Sequence, residues 1–179
     1  MANESVEVIL VDENDRPVGV MEKMEVHKKA LLHRAFSVFI YNDKGELLLQ
    51  RRAQKKYHSA GLWSNTCCSH PRPGEETLFA AEKRLYEEMG IQVKLDKAFD
   101  FIYKVPFENG LSEHEFDHVF IGFYEGKITP DTAEVSDYCF QSNDEIRNSM
   151  LSHPHKYTEW FKIIFPKIME YTVVLSIVL

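Results

Sequence analysis

Between Ser69 and Ile91 the chain reads SHPRPGEETLFAAEKRLYEEMGI. Its second half is a strong helix signal. Leu78, Ala81, Leu85 and Met89 recur at helical spacing, and Gly90 follows where helices commonly close in a left-handed residue. The spacing predicts a helix over Thr77 to Met89, entered from a turn at Arg72-Pro73-Gly74-Glu75. One face is apolar and suited to a core. The other carries Lys83, Arg84, Glu87 and Glu88, with Glu75 just ahead of the first turn.

Immediately upstream stands Trp63-Ser64-Asn65-Thr66-Cys67-Cys68-Ser69-His70-Pro71. In an extended chain, residues two apart point to the same side, so Cys68 and His70 would face one cavity. Taken alone, the pair reads more simply as a small buried thiol beside a surface imidazole. Other ligand-type residues change the balance: His27 and His33 upstream, and Glu113-His114-Glu115 downstream. Strand alternation puts Glu113 and Glu115 on one face, where two carboxylates repel unless a cation neutralises them. Three imidazoles with two carboxylates suit Mn, Zn or Fe more than Mg or Ca. A second, harder site would use Glu88 or Glu87 with phosphate oxygens, the usual Mg arrangement. Tyr103 and Trp160 fit core packing, or the stabilisation of a cation by a ring face. Arg51, Arg52, Lys55 and Lys56 form a dense basic cluster, either a solvated strand end or a phosphate clamp.

The rest of the chain supplies mostly strands. Val6 to Val11, Leu32 to Tyr41 and Glu46 to Gln50 read as strands, with Phe36, Val38 and Ile40 on one face of the second. Asn42-Asp43-Lys44-Gly45 is a hairpin-type turn. Ile91 to Leu95, Phe99 to Val105, Glu113 to Tyr124 and Asp137 to Phe140 are further strand expectations. Ser142-Asn143-Asp144-Glu145 reads as a capping box opening a short helix. Thr158 to Tyr171 reads as a last helix, kinked at Pro166.

A chain of 179 residues with 44% apolar and 27% charged residues is large enough for one self-sufficient core. A net charge of −7 makes nucleic-acid binding a poor fit. Three cysteines make no disulfide framework, and a reducing, cytoplasmic setting is expected. Met1 to Ser5 lacks the basic start of a secretory leader, and no run of about 20 apolar residues spans a bilayer. Residues 172–179, TVVLSIVL, form an apolar tail that the sequence leaves without a role.

Leu32-His33-Arg34-Ala35-Phe36-Ser37, Asn65 to Pro71, Glu113-His114-Glu115 and Trp160-Phe161 together resemble type I isopentenyl-diphosphate Δ-isomerases, in order, from about Val6 to about Ile168. That family has a Nudix-type fold. The resemblance therefore implies an α/β (α+β) architecture of mixed β-sheets sandwiched by helices, in a single domain over residues 1–171. Ser69 to Ile91 looks like a degraded Nudix box: the first Gly becomes Ser69, the first Glu falls on Glu75, and the Arg-Glu pair becomes Lys83-Arg84. Losing the acidic member of that pair argues against pyrophosphohydrolysis.

The resemblance further implies interconversion of isopentenyl and dimethylallyl diphosphate by protonation and deprotonation. On that basis His27, His33, His70, Glu113 and Glu115 hold one divalent metal, and Glu88 (or its neighbour Glu87) carries Mg with the substrate diphosphate. Cys68 and Glu115 exchange protons with the substrate, Tyr103 hydrogen-bonds the carboxylate, and Trp160 shields a tertiary carbocation. Lys23, Arg52, Lys56 and Arg84 hold the diphosphate. The expected protein works on a small molecule, as a monomer or weak dimer, with neither nucleic acid nor membrane. The rivals are a Nudix hydrolase and a lapsed metal-binding scaffold.

Overall fold

The computed structural model describes residues 6–56 and 58–178. The leader reading at Met1 to Ser5 and the last tail residue, Leu179, lie outside them.

The sheet is built on β3 (His33–Tyr41). Every residue of β3 is matched in parallel by β8 (Ser112–Phe123), from His33 opposite Glu115 to Tyr41 opposite Phe123. On its other side β3 runs antiparallel to the short β6 (Cys67–Ser69), with Ser37 opposite Cys68 and Val38 opposite Cys67. β7 (Asp96–Pro106) borders β8 antiparallel and puts Tyr103 opposite Glu115. β1 (Glu7–Val11) and β2 (Pro17–Glu22) form a hairpin that touches β3 at Leu10 and His33. β4 (Leu47–Arg52) leaves β3 through the turn at Asn42 to Gly45 and pairs with β5 (Trp63–Ser64) and β9 (Val135–Gln141).

Strand alternation then decides which helix covers which face. Phe36, Val38, Ile40 and Phe120 point to one side and meet α2 (Thr77–Met89) through Ala80, Ala81, Leu85 and Met89. Phe39, Tyr41, Val119 and Ile121 point to the other side and meet α4 (Glu159–Val178) through Trp160, Phe161, Ile164, Phe165 and Ile168. Ile146 of α3 (Asn143–Ser152) joins that second layer. The result is a mixed sheet between helices, as the sequence implied.

The helix boundaries have local causes. Glu76 caps α2 by accepting from Leu78 N and Phe79 N, and Gly90 closes it at φ 67°. The Ser142 capping box forms, with Glu145 answering the cap backbone. Two expectations change. Residues 91–95 form no ladder; their alternating apolar side chains dock on the α2 core, and Leu95 N donates to Glu82 Oε1 at 3.1 Å. The last helix does not stop at Tyr171 but continues through residues 172–178, with Pro166 inside it. A short helix, α1 (Lys23–Lys29), was not foreseen; Ala30 ends it at φ 51°. No helix among the described residues is long and apolar enough to cross a membrane.

Candidate active site

The site forms where β3, β6 and β8 come together under the first turn of α4. The parallel register sets His33 beside Glu115, both on the α4 side. Cys68 lies opposite Ser37 and points to that same side, while Cys67 faces the α2 core and is fully buried, as its packing role requires. His70 follows Cys68 by two residues. α1 carries His27 over the other two imidazoles, with ring centroids 5.2 Å from His33 and 5.8 Å from His70.

These residues converge tightly. His27, His33, His70 and Glu115 offer one ligand atom each, all within 4.8 Å of one another. His33 Nε2 lies 3.2 Å from His70 Nε2 and 3.6 Å from Glu115 Oε1, and His70 Nε2 lies 2.9 Å from that same oxygen. His33 Nδ1–H donates to Leu31 O at 2.9 Å, which leaves its Nε2 lone pair aimed at the centre. Burial, helped by the neighbouring cations and imidazoles, brings His27 down to about 3 and His70 to about 4, so both stay neutral. Neutral imidazoles gathered round one carboxylate are the donor set of a divalent transition metal. The residues fit such an ion.

Glu113 stands beside this group rather than in it. Its Oε2 shares the Tyr103 hydroxyl with Glu115: the hydroxyl lies 3.0 Å from Glu113 Oε2 and 2.7 Å from Glu115 Oε2. Burial and the Glu115 charge push Glu113 up to about 8. Burial also opposes ionisation of Glu115, but the adjoining His33 and His70 imidazoles outweigh it and hold that carboxyl well below its usual range. Burial pushes the Cys68 thiol well up, so the sulfur carries its proton.

One cleft holds the rest of the expected set. Lys23, Arg52, Lys56 and Arg84, the four cations assigned to a diphosphate, line it together with Cys68, Glu88, Tyr103, Glu113, Glu115 and Trp160. Trp160 is 2% exposed and its Nε1 donates to Ser64 Oγ at 2.9 Å. The Arg52 guanidinium lies 5.1 Å from the centre of its ring, so the indole already holds a positive charge on its face. Glu88 is buried; one oxygen accepts from Gln50 Nε2 at 2.9 Å and the other lies 2.9 Å from Arg84 Nε.

Several contributors were not singled out from the sequence. His58 reaches Glu113 Oε1 at 3.5 Å and stacks on Phe107 with ring centroids 4.8 Å apart. Asp117 continues the Glu113–Glu115 row, accepts from Ser37 Oγ at 2.8 Å, and is pushed up by burial and by the Glu115 charge. Gln50, Ser64 and Glu134 complete the cleft's hydrogen bonding from distant parts of the chain. For Asp117 alone was a signal available: it extends the period-two row of Glu113 and Glu115.

Comparison with known proteins agrees with this geometry. The NUDIX domain family matches residues 31–161. A Pectobacterium atrosepticum protein named isopentenyl-diphosphate Delta-isomerase is 55% identical over 167 residues, covering 92% of each chain. The chain belongs to the isopentenyl-diphosphate Delta-isomerase family. A second relative, isopentenyl-diphosphate Delta-isomerase 2 of Aromatoleum aromaticum, is 47% identical and covers 92% of this chain and 87% of its own. Among solved structures, a Deinococcus radiodurans protein matches with a TM-score of 0.68 at 18% identity, over 82% of this chain and 90% of that one. That likeness speaks to the fold alone. Within the family assignment, Lys83 and Arg84 explain the altered box. Lys83 Nζ lies 3.3 Å from Glu75 Oε1, and Arg84 Nη1 lies 3.1 Å from Glu87 Oε2. Cations of the chain itself neutralise the helix carboxylates.

Proposed function

We propose that the protein interconverts isopentenyl diphosphate and dimethylallyl diphosphate by adding one proton and removing another. The observation that carries this reading is the meeting of Cys68 and Glu115 in the same cleft as Lys23, Arg52, Lys56 and Arg84. Four cations suit a diphosphate, and a thiol with a carboxylate suits proton exchange on the carbon tail.

The steps balance on the chain's own groups. A proton reaches the terminal alkene carbon, which leaves a tertiary cation at C3. A proton then leaves C2, and the double bond forms between C2 and C3. Cys68 and Glu115 take these two parts on opposite sides of the allylic unit. Tyr103 hydrogen-bonds the Glu115 carboxylate and fixes its orientation. Trp160 presents an indole face that already accommodates the charge of Arg52, and it keeps water from the cation. Burial of the Glu113–Glu115 pair keeps bulk water from the cation during turnover.

His27, His33, His70 and Glu115, with Glu113 alongside, would hold a divalent metal such as Mn, Zn or Fe. Glu88 would meet Mg that arrives with the diphosphate. When bound, such ions supply positive charge that orders the carboxylates and the diphosphate. Cytoplasmic residence and a monomeric or weakly dimeric state belong to the same reading; the free cysteines at 67, 68 and 139 suit a reducing compartment.

A Nudix hydrolase needs free helix carboxylates, whereas Arg84 pairs with Glu87 and Glu88. The test is incubation with isopentenyl diphosphate and Mg²⁺ in deuterated water, followed by NMR. Dimethylallyl diphosphate bearing deuterium in a methyl group is expected. Release of inorganic phosphate or diphosphate without isomer would overturn the reading.

A further inference from the structure

Glu134 sits in the loop before β9 on a fixed base. Its backbone carbonyl accepts from Ala53 N at 2.9 Å. The same loop is tied to the end of α2: Thr129 N donates to Met89 O at 3.0 Å and Asp131 N to Glu88 O at 2.9 Å. From this base a single carboxylate oxygen, Glu134 Oε2, receives two cations. One is Lys56 Nζ, from the loop after β4. The other is Arg84 Nη2, from α2, at 3.1 Å. Both belong to the four cations of the cleft. Two like charges drawn to one point repel each other unless an anion lies between them. The Glu134 side chain is 23% exposed, and the two cations it holds both line the cleft, where a ligand can reach them.

We propose that Glu134 is a positioning residue that holds Lys56 and Arg84 together in the free protein and gives them up to the incoming diphosphate. This rests on the diphosphate reading of the clamp given above. A phosphoryl oxygen and a carboxylate oxygen are equivalent acceptors for an ammonium and a guanidinium. A diphosphate brings more charge and more oxygens than one carboxylate, so the exchange runs toward the ligand. No covalent bond changes; one acceptor replaces another. In the free state the carboxylate keeps Lys56 ordered and, together with Glu87 and Glu88, Arg84, which lowers the entropy lost on binding. In exchange it competes for the same donors, so affinity for the anion is held below what the bare cations would give. Fast product release follows, since the product carries the same diphosphate.

The experiment is calorimetric titration of the metal-loaded protein with inorganic diphosphate in the presence of Mg²⁺. It compares wild type, Glu134→Gln, Lys56→Gln and the double variant. Glu134→Gln should bind diphosphate several-fold tighter, and the gain should shrink in the Lys56→Gln background, where one of the freed donors is gone. Unchanged or weaker binding overturns the proposal. An equal gain in both backgrounds also overturns it, since that is a general charge effect. Should Glu134→Gln not fold, Glu134→Asp serves: a carboxylate one methylene shorter cannot span both cations, and unaltered affinity again overturns the idea. In turnover, KM for isopentenyl diphosphate should fall in Glu134→Gln while kcat does not rise; a merely structural defect would lower kcat and leave KM. Calorimetry does not depend on turnover. Tighter binding without isomerisation would sink the proposed activity and leave the role of Glu134 intact, whereas wild type that binds no diphosphate would sink both.

Discussion

His33 Nε2 faces His70 Nε2 across 3.2 Å, with one Glu115 oxygen within reach of both. Since His33 gives its Nδ1 proton to Leu31 O, at least one lone pair points into that gap. A cation resolves the arrangement where a proton alone does so poorly. His33→Ala should therefore lose bound metal, read by elemental analysis of the purified protein. A ligand at a hundredfold excess over Kd stabilises by about 2.7 kcal/mol, and each kcal/mol moves Tm by roughly 2–4 °C in a chain of this size. Chelation should lower the Tm of wild type by several degrees and leave that of His33→Ala in place.

Cys68→Ala and Glu115→Gln should each nearly abolish isomerisation. The alanine removes a small side chain from the cleft wall, so its Tm should stay within a few degrees of wild type. The glutamine keeps an acceptor for the Tyr103 hydroxyl but no longer ionises. Deuterium incorporation from solvent, followed by NMR, checks both. Turnover near that of wild type in either folded variant would remove it from the chemistry.

Elements that follow from local pattern were legible, and those made by distant partners were not. The helix from Thr77 to Met89 could be read because its apolar positions and Gly90 lie within a few turns. The Ser142 capping box spans three residues and formed as read. Residues 91–95 misled because packing on Leu85 and Met89 imposes the same alternation as a ladder would. α1 was missed because only Val26 and His27 of its seven residues are buried, too few to leave a stripe. Within the site, Cys68, His70 and Glu115 follow from same-side geometry in extended chain. Glu134 meets Lys56 across 78 positions, and His58 meets Glu113 across 55, so no local spacing could reveal either. The resemblance placed Lys23, Arg52, Lys56 and Arg84, and a basic cluster alone would have given only Arg52 and Lys56.

Away from the cleft, His118 provides a pH test. Its Nε2 lies 3.0 Å from Asp15 Oδ2, while Asp15 Oδ1 accepts from Arg34 Nε at 2.7 Å. Burial lowers the imidazole below its usual value, Lys97 adds to this, and Asp15 and Asp100 oppose it. The folded state therefore binds the proton less readily than the unfolded chain. Where the unfolded chain is protonated and the folded one is not, stability rises with pH, so it is lost as pH falls below about 6.5. Urea midpoints at pH 7.5 and 5.5 should drop less in His118→Gln than in wild type. An equal drop would mean that other groups govern the acid limb.

Ser64 tests how the indole is held. Its hydroxyl accepts from Trp160 Nε1 at 2.9 Å and from Thr158 Oγ1 at 3.2 Å, and donates to Asn65 Oδ1 at 2.9 Å. Ser64 is 2% exposed, so water does not readily replace it. Ser64→Ala leaves the indole N–H without its acceptor, at a cost of about 1–3 kcal/mol in stability. Thr158 can rotate toward another partner, but the indole can regain an acceptor only by tilting. A tilt turns its face away from the carbon tail of the substrate; Arg52, one of the four diphosphate cations, packs on the ring, so binding loosens less than turnover falls. kcat should fall about tenfold, equivalent to about 1.4 kcal/mol of barrier, with KM little changed. Steady-state kinetics on the folded variant decides it: a rise in KM at constant kcat would place Trp160 in substrate binding rather than in shielding the cation.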